Sequence, residues 1–257
     1  MALLFTGGTR FHLPRISGVF RFTLAAAKHA SNITVDSIGS LMHTRKKILV
    51  TDAGGFIGHH LVGFLKHRGC WVRGVDIKRP EFSKTETDEF KLLDLRKFDD
   101  CMAACAEIDE IYQLAADMGG IGYISMYHGQ VLRNNALINL NMLEAARRSQ
   151  VDKYLYTSSA CIYPQYLQKS PDVMPLKESD AYPAGAEPGY GWEKLFAELA
   201  TQYYREDYGM KTYVVSFHNI FGPLGTYDGG REKAPAALCR KIALARDNCK
   251  APSSSAI

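Results

Sequence analysis

The stretch Lys47-Ile48-Leu49-Val50-Thr51-Asp52-Ala53-Gly54-Gly55-Phe56-Ile57-Gly58 decides the fold of this chain. Its apolar run at 48–50 predicts a buried strand, and apolar residues at helical spacing predict a helix over about 56–68. A glycine-rich turn between the two exposes backbone N–H groups at the positive end of the helix, where a dinucleotide pyrophosphate binds. The alternative is an ordinary strand-to-helix turn that is rich in glycine. The cofactor contacts predicted in this turn are Gly55, Phe56, Ile57 and Gly58.

Strands and helices alternate along the rest of the chain. Further strands are predicted at 70–75, 90–93, 109–114, 153–157 and 212–217, and further helices at about 96–106, 123–148, 190–208 and 232–246. This alternation predicts a parallel sheet with helices on both faces and ligands at the carboxyl edge of the strands. The expected fold class is α/β, a Rossmann-like doubly wound parallel sheet.

Composition argues against several classes of protein. The 257 residues are 46% hydrophobic and 23% charged, as in an ordinary globular protein. The net charge of +4 is spread along the chain and does not indicate nucleic-acid binding. There is no apolar run of 18 residues, so no membrane span is predicted. Six cysteines at scattered spacings favour reduced thiols in an intracellular, cytoplasmic protein and no metal site.

The first 45 residues differ from the rest. Residues 1–44 contain four basic residues, Arg10, Arg15, Arg21 and Lys28, against one acid, Asp36. An organelle transit peptide, a disordered extension and an incorrectly assigned start all fit this composition. The expected domains are an extension at 1–45, an NAD-binding Rossmann domain at 46–231, and the start of a substrate domain with a disordered tail at 232–257.

Asp76 closes the predicted second strand. It lies near the spacing at which a carboxylate holds the adenosine ribose hydroxyls of a dinucleotide. Such a carboxylate would repel a 2′-phosphate, so NAD is favoured over NADP. The alternative is a solvated acid at the end of a strand.

Asp52 stands where a dinucleotide turn usually has glycine. Aspartate tolerates a left-handed backbone better than most residues, so the turn is expected to form at a cost of roughly 1–2 kcal/mol. The charge is the larger problem. A carboxylate ~4 Å from a phosphate oxygen costs about 4 kcal/mol at an effective dielectric of 20, unless rotation or solvation relieves it.

Tyr190 and Lys194 are four residues apart in a predicted helix and therefore share one face. An ammonium group beside a phenol favours the phenolate and lowers its pKa from about 10. A tyrosine tuned in this way can take a proton from a sugar hydroxyl while hydride leaves for nicotinamide. Alone, this pair is more often structural, and the glycine turn, Asp76 and the Ser158-Ser159 loop after the fifth strand favour the catalytic interpretation.

Taken in order, the segments TDAGGFIG, LAADMGG, SSACIYP, YGWEK and FHNIFGP resemble the extended short-chain dehydrogenase/reductase superfamily, in its NAD-dependent epimerase/dehydratase branch. Within that branch, AADMGGIG, SSACIYP, FHNIFGP and GGREKAPAA are similar to the GDP-mannose 3,5-epimerase family. The resemblance covers roughly residues 46–245. That family continues well beyond GGREKAPAA, so most of the small C-terminal substrate domain is expected to be missing here.

The resemblance implies a reaction on GDP-mannose. NAD would oxidise the sugar at C4, with Tyr190 as base and Lys194 as its partner and ribose anchor. The C4 ketone acidifies the C3 and C5 protons, which Cys161 and Lys233 would remove and replace before hydride returns to C4. The resemblance also implies a homodimer through two long helices. A non-catalytic Rossmann module that partners a full-length paralogue, and another sugar-nucleotide epimerase or dehydratase, are the alternatives.

The same resemblance implies further contacts. Asp94 joins Asp76, Tyr190 and Lys194 as a cofactor contact. The positions that match substrate contacts are Gly119, Ser159, Ala160, Cys161, Asn219, Glu232, Lys233, Ala234 and Lys241.

Overall fold

A computed structural model describes residues 45–168 and 175–247. It contains a six-stranded parallel sheet in the order β3-β2-β1-β4-β5-β6. This order is the doubly wound one, so the predicted fold class is confirmed. The strands are β1 Lys47–Thr51, β2 Trp71–Asp76, β3 Glu89–Leu92, β4 Glu110–Gln113, β5 Lys153–Ser159 and β6 Thr212–Phe217. The predictions for residues 1–44 and for the tail from 248 lie outside the described residues.

Six α-helices accompany these strands in the part of the chain that the structure describes. They are α1 Phe56–His67, α2 Phe98–Cys105, α3 Ile121–Met126, α4 His128–Arg148, α5 Tyr190–Tyr208 and α6 Ala234–Asp247. The single helix predicted at 123–148 is wrong, because Tyr127 leaves helical geometry at φ −122° and ψ 41°. The break lies next to His128, against which the loop residue Gly189 packs.

The core fills both faces of the sheet. Leu49 faces one cluster together with Ile111 and Tyr154, whereas its neighbours Ile48 and Val50 face the other. Alternate residues of a strand point to opposite faces, so a continuous apolar strand such as β1 requires cover on both. Among the described residues, no helix is long and apolar enough to cross a membrane.

The strand order reverses between β1 and β4. In open parallel sheets, the crevice beyond the carboxyl ends of the strands at this reversal is where ligands bind. The turn at 52–55 follows β1, the segment 115–120 follows β4, and Ala160 follows β5, so all three meet at one edge.

Candidate active site

The turn after β1 leaves the start of α1 open. Gly55 caps the helix without a side-chain hydrogen bond, and the first turn carries no acidic residue. The Gly55 amide donates to the Asp52 carbonyl at 3.0 Å, which closes the turn. A Cβ on Gly58 would collide with that same carbonyl, so the turn can pack against α1 only if glycine is there. The uncapped N–H groups are the expected partners of a phosphate.

Asp76 ends β2 beside this turn and is 8% exposed. Its carboxylate accepts hydrogen bonds from the amides of Gly54, at 2.9 Å, and Lys78, at 3.1 Å. Two backbone donors from separate segments therefore fix the carboxylate at the mouth of the turn.

Asp52 adopts the left-handed conformation that the turn demands, with φ +54°. The turn therefore forms, as expected. Its carboxyl oxygens lie over Gly55, and the Asp76 carboxyl lies over the preceding Gly54, so the two carboxyl groups flank consecutive residues of one turn. Burial, and then the charge of Asp76, raise the pKa of Asp52 well above its ordinary value, whereas Lys78 opposes the shift. The group is thus not the free carboxylate that the sequence alone suggests.

Tyr190 and Lys194 are brought together at the start of α5, and both are almost fully buried. Lys194 Nζ lies 5.6 Å from the centroid of the Tyr190 ring and donates to the Thr157 carbonyl at 2.9 Å. The Tyr190 hydroxyl faces Met118 Sδ at 3.9 Å. The shared face predicted from their spacing is therefore present.

The sequence predicts a lowered pKa for Tyr190, and this prediction is wrong for this structure. Burial raises the pKa of Tyr190 above its ordinary value, and Cys161 and Glu193 add to this, while a hydrogen bond with Ser159 opposes it. Burial also lowers the pKa of Lys194. The loss of hydration of a buried phenolate outweighs the attraction of the nearby ammonium, which spacing alone does not reveal.

Cys161 follows β5 in a short 3-10 turn, and its amide donates to Ser159 Oγ at 3.2 Å. Burial, and then a hydrogen bond with Glu187, raise the pKa of the Cys161 thiol to about 11, whereas Ser159 and Lys233 act in the opposite direction. The thiol is therefore not tuned toward neutrality, contrary to the expectation from the sequence. Glu187, whose amide also donates to the Cys161 carbonyl at 3.0 Å, was not predicted as a site residue.

Arg231 connects the GGREKAPAA segment with the AADMGGIG segment that follows β4. It donates to the Met118 carbonyl at 3.3 Å and to the Tyr123 hydroxyl at 2.6 Å, and its guanidinium lies 3.9 Å from the Tyr123 ring centroid. The Gly120 amide donates back to the Arg231 carbonyl at 3.1 Å. The segment that carries Glu232 and Lys233 is thereby held against Gly119 and Gly120. Sequence reasoning missed Arg231, although it lies inside GGREKAPAA.

The remaining predicted positions are less closely joined. Asp94 follows β3 and forms a two-point ion pair with Arg96, with both N–O distances at 2.8 Å. Asn219 is exposed in the loop after β6, Ala234 begins α6 and is also exposed, and Lys241 lies on the exposed side of that helix. Ala160 begins the turn that contains Cys161.

This sheet, with a glycine turn at its switch point and a Tyr-Lys pair on α5, defines a class of dinucleotide-binding enzymes. The model of the NAD dependent epimerase/dehydratase family matches residues 48–254, and the chain belongs to that family. Its curated relatives include GDP-mannose 3,5-epimerase of Arabidopsis thaliana, 45% identical over 203 residues, which are 78% of this chain and 54% of the relative. GDP-L-fucose synthase of Escherichia coli is 27% identical over 77% of this chain and 58% of its own length.

Solved structures agree with the fold. UDP-glucose 4-epimerase of Thermus thermophilus, solved in complex with NAD, has a TM-score of 0.61 at 26% identity and covers 71% of this chain and 58% of its own. The Thermotoga maritima enzyme of the same name has a TM-score of 0.65 at 21% identity, over 76% of this chain and 62% of its own, which supports the fold alone. The chain spans about half the length of the curated GDP-mannose 3,5-epimerases that it matches.

NAD is the cofactor of this family, and most residues here fit it. The uncapped start of α1 suits a pyrophosphate, and Asp76 is fixed where ribose hydroxyls would bind. Asp52 is the one residue of the turn whose chemistry opposes an anion, and burial together with Asp76 disfavours its charge.

Proposed function

We propose that this chain carries the NAD site and the proton-transfer groups of a sugar-nucleotide epimerase that converts GDP-mannose to GDP-L-galactose. The observation that supports it most is the cluster around Cys161. The Cys161 amide donates to Ser159 Oγ, Cys161 packs against the cluster that contains Tyr190, and the charge of Lys233 acts on the thiol. An epimerase needs an acid and a base next to the group that oxidises the sugar, and these residue types supply them.

The turn after β1, Asp76 and Lys194 would hold NAD, which would supply hydride transfer from and back to C4 of the sugar. Tyr190 takes the proton of the C4 hydroxyl. Lys194, whose Nζ lies 5.6 Å from the centroid of the Tyr190 ring, positions the tyrosine and binds the cofactor ribose. Because burial raises the pKa of Tyr190 in the ligand-free protein, this role requires that the positive charges of Lys194 and of a bound nicotinamide ring lower that pKa, so that the phenol ionises before it accepts the proton.

Cys161 and Lys233 then exchange protons with C3 and C5. At neutral pH, a thiol with a pKa of about 11 carries its proton, which suits Cys161 to the role of donor. Glu232 and Ala234 flank Lys233, and Gly119 lies under the same segment, as expected for substrate contacts.

Exposed side chains on α4 and α5 support a homodimer through these helices. Trp192, Phe196 and Tyr203 follow helical spacing on α5 and are each about half exposed, and Leu132 is exposed on α4. The proposed enzyme is a cytoplasmic homodimer, and light scattering of the purified chain tests the dimer.

Incubation of the chain with NAD and GDP-mannose in D₂O tests the function. The proposal expects GDP-L-galactose and deuterium at C3 and C5, both lost in Cys161→Ser and Lys233→Met. Tyr190→Phe should abolish both signals because no ketone forms. If folded, NAD-loaded protein gives neither product nor exchange, the non-catalytic module that partners a longer paralogue becomes the better interpretation.

A further inference from the structure

Two carboxyl groups meet in the cofactor turn. Asp76 is held by the amides of Gly54 and Lys78 and cannot turn away without losing both hydrogen bonds. Asp52 is fixed through its own backbone, since its carbonyl is packed against Gly58. The Asp52 oxygens lie over Gly55 and the Asp76 carboxyl lies over Gly54, so the two carboxyl groups sit side by side on one turn and the charge of Asp76 acts on Asp52.

The surroundings of this pair are mixed in charge. Lys78 follows Asp76 in the loop after β2 and faces Asp52. His59 on α1 and Glu81 in the loop beyond Lys78 line a cleft with Gly54, Gly55 and Lys78 next to the pair. A single lysine that is exposed to solvent does not neutralise two carboxylates in contact, so the pair favours keeping one proton.

We propose that Asp52 and Asp76 share one proton, so that Asp52 is a neutral acid that donates to Asp76 in the NAD site and NAD binding weakens as pH rises. A neutral Asp52 removes the repulsion that a carboxylate would exert on the pyrophosphate. Asp76 keeps its negative charge for the ribose hydroxyls. The proposal rests on the use of NAD by this chain.

The net charge of the Asp52–Asp76 pair decides how NAD binding depends on pH. At low pH the pair carries one negative charge. As pH rises through the titration of the shared proton, a second charge appears beside the pyrophosphate and the dissociation constant increases. We expect NAD affinity to fall at least tenfold between about pH 6 and pH 9. One added negative charge next to a phosphate group weakens binding by that factor or more.

Calorimetric titration of the whole chain with NAD tests this directly. Asp52→Asn is the matched control, because its amide has the same size and donates to Asp76 at every pH. Asp52→Gly restores the usual residue of the turn. We expect affinity to depend on pH in the unmodified chain and to be nearly constant in both variants, and we expect the three proteins to bind alike near about pH 6.

A second readout needs no NAD. In ¹³C-carboxyl NMR of the ligand-free chain, one resonance should titrate far above the usual aspartate range and should vanish in Asp52→Asn. An Asp52 that titrates normally, or an equal pH slope in Asp52→Asn, overturns the proposal. If no variant binds NAD at any pH, the cofactor assignment fails, and the carboxyl titration still decides whether the proton is shared.

Discussion

The side-chain amide of Asn139 donates a 2.7 Å hydrogen bond to the buried carboxyl group of Glu193. Asn139 in turn accepts from Gln113 at 3.3 Å, and Gln113 accepts from the Thr51 hydroxyl at 2.9 Å. These four buried polar side chains connect the residue that precedes Asp52 with the helix that begins at Tyr190. The network therefore fixes the cofactor turn relative to the proposed base.

Asn139→Leu should lower the free energy of unfolding by about 1–3 kcal/mol, because it leaves the Glu193 carboxyl buried without its donor. Urea denaturation at neutral pH measures the change. Glu193→Gln is the control, since its amide oxygen still accepts from Asn139 and the loss should be smaller. Equal losses in the two variants would show that the hydrogen bond is not what stabilises the pair.

Glu187→Gln should lower the pKa of Cys161 from about 11, because it removes a negative charge and an anionic acceptor beside the thiol. The rate of iodoacetamide labelling against pH, followed at the Cys161 peptide by mass spectrometry, measures this pKa. The midpoint should move to lower pH, and labelling at about pH 8 should speed up severalfold. Cys239 is exposed and serves as the internal control, with an unchanged rate. An unmoved midpoint would contradict the role given to Glu187.

Gly191→Ala should destabilise the protein by about 1–3 kcal/mol. A Cβ there would collide with the Cys161 carbonyl oxygen and would lie 3.0 Å from Glu187 Cβ. Gly129→Ala is a matched control, because each glycine is the second residue of its helix and the Gly129 site is open. Alanine at that open site should be neutral or stabilising by up to about 1 kcal/mol. Thermal melts that rank the two variants the other way would refute the close packing at Cys161.

Arg231→Ala should free the segment 229–234 with little effect on global stability. Arg231 is half exposed and its pair with Asp117, at 3.5 Å, is worth little, whereas its contacts with Met118 and Tyr123 hold the segment in place. Hydrogen exchange of the Gly120 amide, which donates to the Arg231 carbonyl, should accelerate at least tenfold. Arg231→Lys keeps the charge but lacks the planar guanidinium and should give an intermediate rate. An unchanged Gly120 rate would refute the docking.

Much of the fold could be read from local patterns. The apolar run of β1, the helix from Phe56 and the alternation that follows are set by hydrophobic period, and these predictions agree with the structure. The helix break at Tyr127 was not predicted, and it lies beside His128, which Gly189 approaches from far along the sequence.

The candidate site divides in the same way. The sequence by itself determined that Tyr190 and Lys194 share a face, because i,i+4 spacing fixes that in any helix, and that Asp52 must adopt a left-handed conformation, because the turn requires it. Only the tertiary structure decided which way the pKa values of Tyr190 and Cys161 move and that Asp52 turns to Asp76. Burial and neighbours that are distant in sequence set the free-energy cost of a charge and hence the pKa. Neither can be predicted from the local spacing of residues.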